Sequence, residues 1–368
     1  MFLAVAILYI PIFFFPIHDA FGIAKLGYLS LCATLAAYQL ARMEVVKIPY
    51  ALPLLAYLVA VGLSVKNVVN WYQYFLEVGT DLAGITVMVY MANLKMNPMR
   101  LLKVITVIAF FLSLFPLLLI LSPSVFYQGR PDWAWESTMG NTGFAAGMVA
   151  ALFPIVAWMA WKKRKVWMWA TVGLMMVHLN FALSRTPIMS LLVVGLVALG
   201  VTVIRGTARR MRMILAGVLL VTVMVAVSVW LMEVQETRKA SIDVRVMYLK
   251  GTWNIIKDHP VFGAGRGQLQ VVALPYMAKV GDSGLFFVDH AHNDYAEILA
   301  ELGPLGLAGL LGIVLMALFR SILEPRWQWA VGLAFLTLAL NALTFFPLHT
   351  VAQAVYFWAY AGLLAREA

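Results

Sequence analysis

The chain has one cysteine, Cys32, in 368 residues. No intrachain disulfide can form, and cysteine usage says nothing about redox compartment. Charge is scarce too: 12% of residues are charged against 63% hydrophobic, with mean hydropathy +0.88, which excludes an ordinary soluble domain. No ten-residue alternating segments occur, and Gly and Pro are scattered through the apolar runs, which argues against a β-barrel. No internal repeat, low-complexity tract or second soluble domain is visible. The first run, Met1 to Ile17, lacks a basic leading segment and a small-residue cleavage site, so it is read as a span and not as a signal peptide.

What is present is a series of apolar runs near bilayer length. The expected fold class is all-α, a polytopic bundle of about twelve spans, because closed helices satisfy the backbone inside lipid. The spans fall at roughly 1–17, 20–40, 48–65, 72–93, 101–121, 139–160, 166–183, 187–204, 213–231, 304–319, 327–345 and 349–365. Residues 1–368 then form a single transmembrane domain. The short loops after even-numbered spans are basic, as in "KKRK" at Lys162 to Lys165, which places them and both termini in the cytoplasm. A net charge of +10 is thus a matter of topology and gives no reason to expect nucleic acid. The segment 232–291, between spans nine and ten, is a long outward-facing loop of balanced charge, and loops of that length tend to be functional.

All six histidines fall at or near the outer face under this topology, which points to chemistry there; the plainer alternative is that the short basic inner loops leave no room for them. "LSRTP" puts Arg185 at the outer end of the seventh span, where it either snorkels to the interface or holds a phosphate in its fork of donors. "SIDVRVMYLKGTWNIIKDHP" reads as a helix capped by Ser241 and stopped by Pro260, lying on the membrane or capping the bundle, with Arg245 and Lys250 above its apolar body. "GAGRGQL" from Gly263 resembles a dinucleotide fingerprint only as a string, since no strand precedes it. Its glycines are read as a tight turn near a ligand or the membrane.

In "HAHNDYAEILAELGPLG", Asp294, Glu297 and Glu301 share one face at helical spacing, ahead of Pro304. Residues 292–303 are therefore expected to form a short polar helix over the membrane entrance, its acids holding it at the interface. His290 and His292 are better candidates for chemistry, because neutral imidazole is a natural general base for a hydroxyl.

These residues resemble a known family. His292-Asn293, nine residues, then Gly303-Pro304-Leu305-Gly306 is similar to the histidine signature of bacterial O-antigen ligases and the related Wzy-type polymerases. "RVMYLKGTWNIIKDHPVFGAGRGQL" resembles the loop before it, and "SRTP" and "GNTGFAAG" resemble two further family segments. The resemblance implies an inverting, metal-independent glycosyltransferase of the GT-C-like membrane class, without a cofactor. It would use an undecaprenyl-pyrophosphate-linked glycan at the outer face of the bacterial inner membrane, with lipid A core or another glycan chain as acceptor. It implies His292 as general base, with His290 as the alternative, and Arg185 and Arg245 as the pyrophosphate clamp. Lys66, at the outer end of the third span, matches by position only. Where the family often has Gly-Asn-Pro-Asn, this chain has Gly140-Asn141-Thr142-Gly143, and no catalytic role is carried over. No Asp/His spacing suited to a divalent ion is evident in the sequence.

Ligase and polymerase are not separable at this stage. A rival of another class is a transporter or flippase of lipid-linked glycan, supported by Glu77 and Asp81 one turn apart in the fourth span; they line a hydrated cavity or pair with Lys66 or Arg185.

Overall fold

A computed structural model describes residues 2–13, 22–121, 131–205, 223, 227, 235–280, 288–323 and 327–366. Among them are thirteen α-helices and no strand, as the composition requires. The helices are α1 (Phe2–Leu8), α2 (Gly22–Ala41), α3 (Ala51–Ser64), α4 (Trp71–Asn93), α5 (Pro98–Leu121), α6 (Thr142–Lys163), α7 (Val166–Phe181), α8 (Arg185–Ile204), α9 (Gln235–Asp258), α10 (Leu269–Ala278), α11 (Asp294–Leu323), α12 (Trp327–Asn341) and α13 (Val351–Leu364). Five of them, α4, α5, α6, α8 and α11, are long and apolar enough to cross a membrane, and α3, α7 and α13 are shorter apolar helices. The ninth expected span, 213–231, lies outside the described residues apart from Val223 and Val227. The first, 1–17, is corrected in its described part: α1 ends at Leu8 and a 3₁₀ turn follows at Ile10–Ile12. Pro11 has no amide hydrogen to carry the helix on.

The core is built around α6, whose residues from Ala145 to Val156 are all buried. Its small side chains let α5, α7, α8 and α12 close around it. The most extensive helix pair is α11 on α3. It depends on Gly309, where an added Cβ would stand 2.6 Å from the Tyr57 amide nitrogen.

Two expectations for the outward segment change. α9 begins at Gln235, so Ser241 lies inside it and is not its N-cap. The residues upstream, Gln235 to Ala240, are mostly good helix formers and extend it. The short helix expected over 292–303 is the first part of α11, which kinks at Gly303, with φ 68 and ψ −172. An extra Cβ at Gly303 would collide with the Val261 carbonyl, so the break and the seating of the glycine-rich turn are one feature.

Candidate active site

The turn "GAGRGQ" is clamped between two layers. On one side the amides of Ala264 and Gly265 donate to the carbonyls of Ala300 and Glu301, at 2.8 and 3.0 Å. On the other, Gln268 Oε1 accepts from the amides of Val69 and Asn70, at 3.0 and 2.7 Å, while Asn67 Nδ2 donates to the Gly263 carbonyl. The turn projects Arg266 inward until its side chain is 1% exposed.

There Arg266 meets three acids from two helices. Nε and Nη2 donate to the two oxygens of Asp81, at 2.8 and 3.1 Å, Nη2 lies 3.2 Å from Glu77, and Nη1 donates to Glu301 at 2.7 Å. The Tyr57 hydroxyl and the Leu269 amide satisfy the remaining lone pairs on Asp81 and Glu301. Burial alone would depress the guanidinium's proton affinity; Asp81, Tyr57, Glu77 and Glu301 together hold it well above the usual range.

A second set of acids continues from the first along one face of α11. Glu297 Oε1 lies 2.9 Å from His290 Nδ1 and 3.3 Å from His349 Nε2, and Oε2 accepts from the Ala291 amide at 2.8 Å. His349 Nδ1 lies 2.9 Å from Asp294 Oδ1, whose other oxygen accepts from the Leu348 amide. Burial opposes charge on His349, but Glu297, the hydrogen bond to Asp294 and Glu77 outweigh both that and Arg266, and raise it to about 10. Arg266 Nη1 is 3.1 Å from His349 Nε2. With the ring protonated that contact is between two donors, so Nε2–H is directed at Glu297. The acids expected to sit at the interface are therefore buried: Asp294, Glu297 and Glu301 are 0, 2 and 1% exposed. The correction has a physical cause, since their compensating cations come from a distant turn and from the segment before α13.

His292 sits at the rim of this network in a different condition. Its φ is 53°, the left-handed region that non-glycine residues seldom occupy, and its buried Nδ1 has no hydrogen-bond partner among the described residues. The ring stacks on Tyr248 at 5.5 Å and stands edge-on to Phe346 at 4.9 Å. Burial, then the charge of Arg245 and then His290, lower it to about 4, with Glu297 opposing, so the imidazole is neutral at pH 7. Arg245 lies one turn before Tyr248 on α9.

The other expected residues divide. Arg185 opens α8, where the adjacent Thr186 is 3.0 Å from Thr344 and Ser190 donates to Asn341. That contact ties the "SRTP" segment to the Phe345-Phe346 turn beside both histidines. In "GNTGFAAG", Asn141 caps α6 through the amides of Gly143 and Phe144, and Phe144 packs on Phe345 and Phe346. Lys66 is exposed, 5.6 Å from the centre of the Phe262 ring, and no described contact joins it to a histidine. Glu77 and Asp81, for which a hydrated cavity or pairing with Lys66 or Arg185 was expected, pair with Arg266.

The sequence reading missed Arg266 and His349. It also saw no metal-like grouping, yet donor atoms of His290, Glu297 and His349 lie within 4.8 Å of one another. The fit to a metal ion is poor. His349 Nε2, which would have to turn a lone pair toward the ion, lies 3.1 Å from Arg266 Nη1, and the guanidinium already supplies positive charge there.

Residues 170–311 match a family model, Wzy_C, described as O-antigen ligase. The stretch is shorter than half of the chain and contains Arg185, Arg245, Arg266, His290, His292 and the acids of α11. No curated protein matches the chain. Over the matched stretch the sequence is similar to the O-antigen ligase family, as its motifs led us to expect.

Proposed function

We propose that this helical membrane protein, which carries an O-antigen ligase family segment across residues 170–311, is an inverting glycosyltransferase. Its donor is an undecaprenyl-pyrophosphate-linked glycan at the outer face of the inner membrane. The favoured reading is en bloc transfer to lipid A core, as a ligase; extension of another lipid-linked chain, as a polymerase, uses the same chemistry. In either case the acceptor hydroxyl attacks the anomeric carbon as the pyrophosphate departs in line, which inverts the centre.

The observation that carries the reading is the convergence of three motif segments on the Thr344-Phe345-Phe346 turn and of the fourth, through Tyr248, on His292, with a neutral His292 under the field of Arg245. Arg245 and Arg185 are suited to the charge that develops on the leaving pyrophosphate, with Lys66 as an outlying contact. The base comes from the His290 and His292 pair. Positive charge from arginine makes a metal unnecessary. The transport alternative rested on Glu77 and Asp81 as intramembrane acids; both are engaged by Arg266, and their role is to hold the turn.

The test is transfer by purified protein in nanodiscs with EDTA present, given lipid-pyrophosphate glycan and either lipopolysaccharide core or a second lipid-linked chain. One large conjugate on the core supports a ligase, a ladder without core supports a polymerase, and no product with either acceptor overturns the reading.

A further inference from the structure

The acids and imidazoles between His290 and Asp294 alternate. From the buried end, Asp294 holds His349, His349 faces Glu297, and Glu297 faces His290, through contacts of 2.9, 3.3 and 2.9 Å. Each inner member is fixed a second time: Asp294 by the Leu348 amide, Glu297 by the Ala291 amide, His349 by its packing 4.5 Å from the His290 ring. The chain ends at His290, 19% exposed and stacked on Phe346 at 4.6 Å. Its Nδ1 is committed to Glu297, which fixes the tautomer and leaves the Nε2 lone pair with no described protein partner. A carboxylate behind an imidazole is the arrangement that holds a general base in orientation and stabilises the imidazolium it becomes. His292 lacks such a carboxylate among its described hydrogen bonds.

Resting on the glycosyltransferase reading, we propose that Asp294, His349, Glu297 and His290 form a relay that makes His290 Nε2, and not His292, the acceptor of the hydroxyl proton. As the acceptor oxygen bonds to the anomeric carbon, its proton passes to His290 Nε2 and the broken carbon–oxygen pair leaves with the pyrophosphate. The new imidazolium keeps Nδ1–H on Glu297 and later loses its Nε2 proton to water. Glu297, His349 and Asp294 are positioning residues. His292, neutral and wedged between Tyr248 and Phe346, accepts a hydrogen bond from a neighbouring hydroxyl of the acceptor and so orients it. Arg266 and Glu77 complete the charges that bear on His349, and Arg245 bears on His292.

The test uses the full-length protein in nanodiscs, with thermal melting to certify each variant. His290→Ala is expected to lower kcat by about 10²–10⁴-fold and to regain activity with added imidazole, while His292→Ala is inactive and not rescued. If His290→Ala does not fold, His290→Gln replaces it. His349→Gln is expected to lower kcat without raising the acceptor KM, and to cost nothing further when added to His290→Ala, because it acts through that ring. Full activity in His290→Ala, rescue of His292→Ala instead, or additive losses in the double variant would each overturn the relay while leaving the glycosyltransferase reading intact. A wild type inactive with every donor and acceptor pair overturns both.

Discussion

Arg266 pairs with an acid of α11 and His292 sits just ahead of that helix, but one is satisfied and the other is not. Every described donor of Arg266 has an acceptor, and the acids around it are closed by a tyrosine hydroxyl and a backbone amide. His292 carries positive φ, a buried nitrogen without a partner and a lowered proton affinity. Buried polar groups in folded proteins are nearly always paired, so strain and an open valence held in place are what the proposed function assigns to the half that meets substrate. The satisfied half is scaffold: it fixes the glycine-rich turn between α4 and α11 and thereby the direction from which α11 presents its histidines.

The largest effect is expected from breaking the scaffold. Arg266→Met leaves Glu77, Asp81 and Glu301 facing one another without a cation, a loss of about 3–5 kcal/mol for a buried pair, and is expected to abolish a monodisperse peak on gel filtration. Arg266→Lys keeps the charge but not the fork, and is expected to fold with a depressed melting temperature. On the other half the pattern reverses. His292→Gly suits the left-handed backbone, so melting is expected to be unchanged or raised while transfer falls by about 10²–10⁴-fold; a lower melting temperature would make His292 part of the scaffold.

Melting as a function of pH sharpens the same contrast. His349, raised to about 10 in the fold from an ordinary 6.5, contributes stability that is fully present below 6.5 and is lost as pH rises through 10. His292, lowered to about 4, is buried neutral, so it begins to cost stability as pH falls below 6.5 and costs most below 4. Stability is expected to be greatest near neutrality, with the alkaline loss flattened in His349→Gln and the acid loss flattened in His292→Gly. The smallest effect belongs to Lys66→Gln, where a rise in donor KM without change in melting or kcat is expected, in keeping with an exposed side chain.

Sequence patterning carried the helices and the outer cluster some way. The spans of α4, α5, α6 and α8, the stop before Pro260 and the break at Gly303-Pro304 follow from hydropathy, missing amide hydrogens and glycine torsion. His292 and Arg245 were visible as motif residues, and the structure brings them together. The ionic core was not visible, because its partners are remote: Asp81 is 185 residues from Arg266, and His349 is 83 residues from it. One signal was available. Glu77 with Asp81, and Asp294 with Glu297 and Glu301, are two acidic stripes at helical spacing in apolar surroundings, and such stripes require a buried cation. The only arginine set among glycines, Arg266, was the candidate. Ser241 misled for the opposite reason, since a good capping residue was read without weighing the helix formers ahead of it.

The most direct measurement is transfer of glycan from undecaprenyl pyrophosphate to core acceptor in nanodiscs, run beside thermal melting on wild type, His290→Ala, His292→Gly and Arg266→Lys. The expected result is product from wild type, full thermal stability without product in the two histidine variants, and lowered stability with retained product per folded molecule in Arg266→Lys. Product at the wild-type rate from both histidine variants would contradict the division into a reacting half and a supporting half.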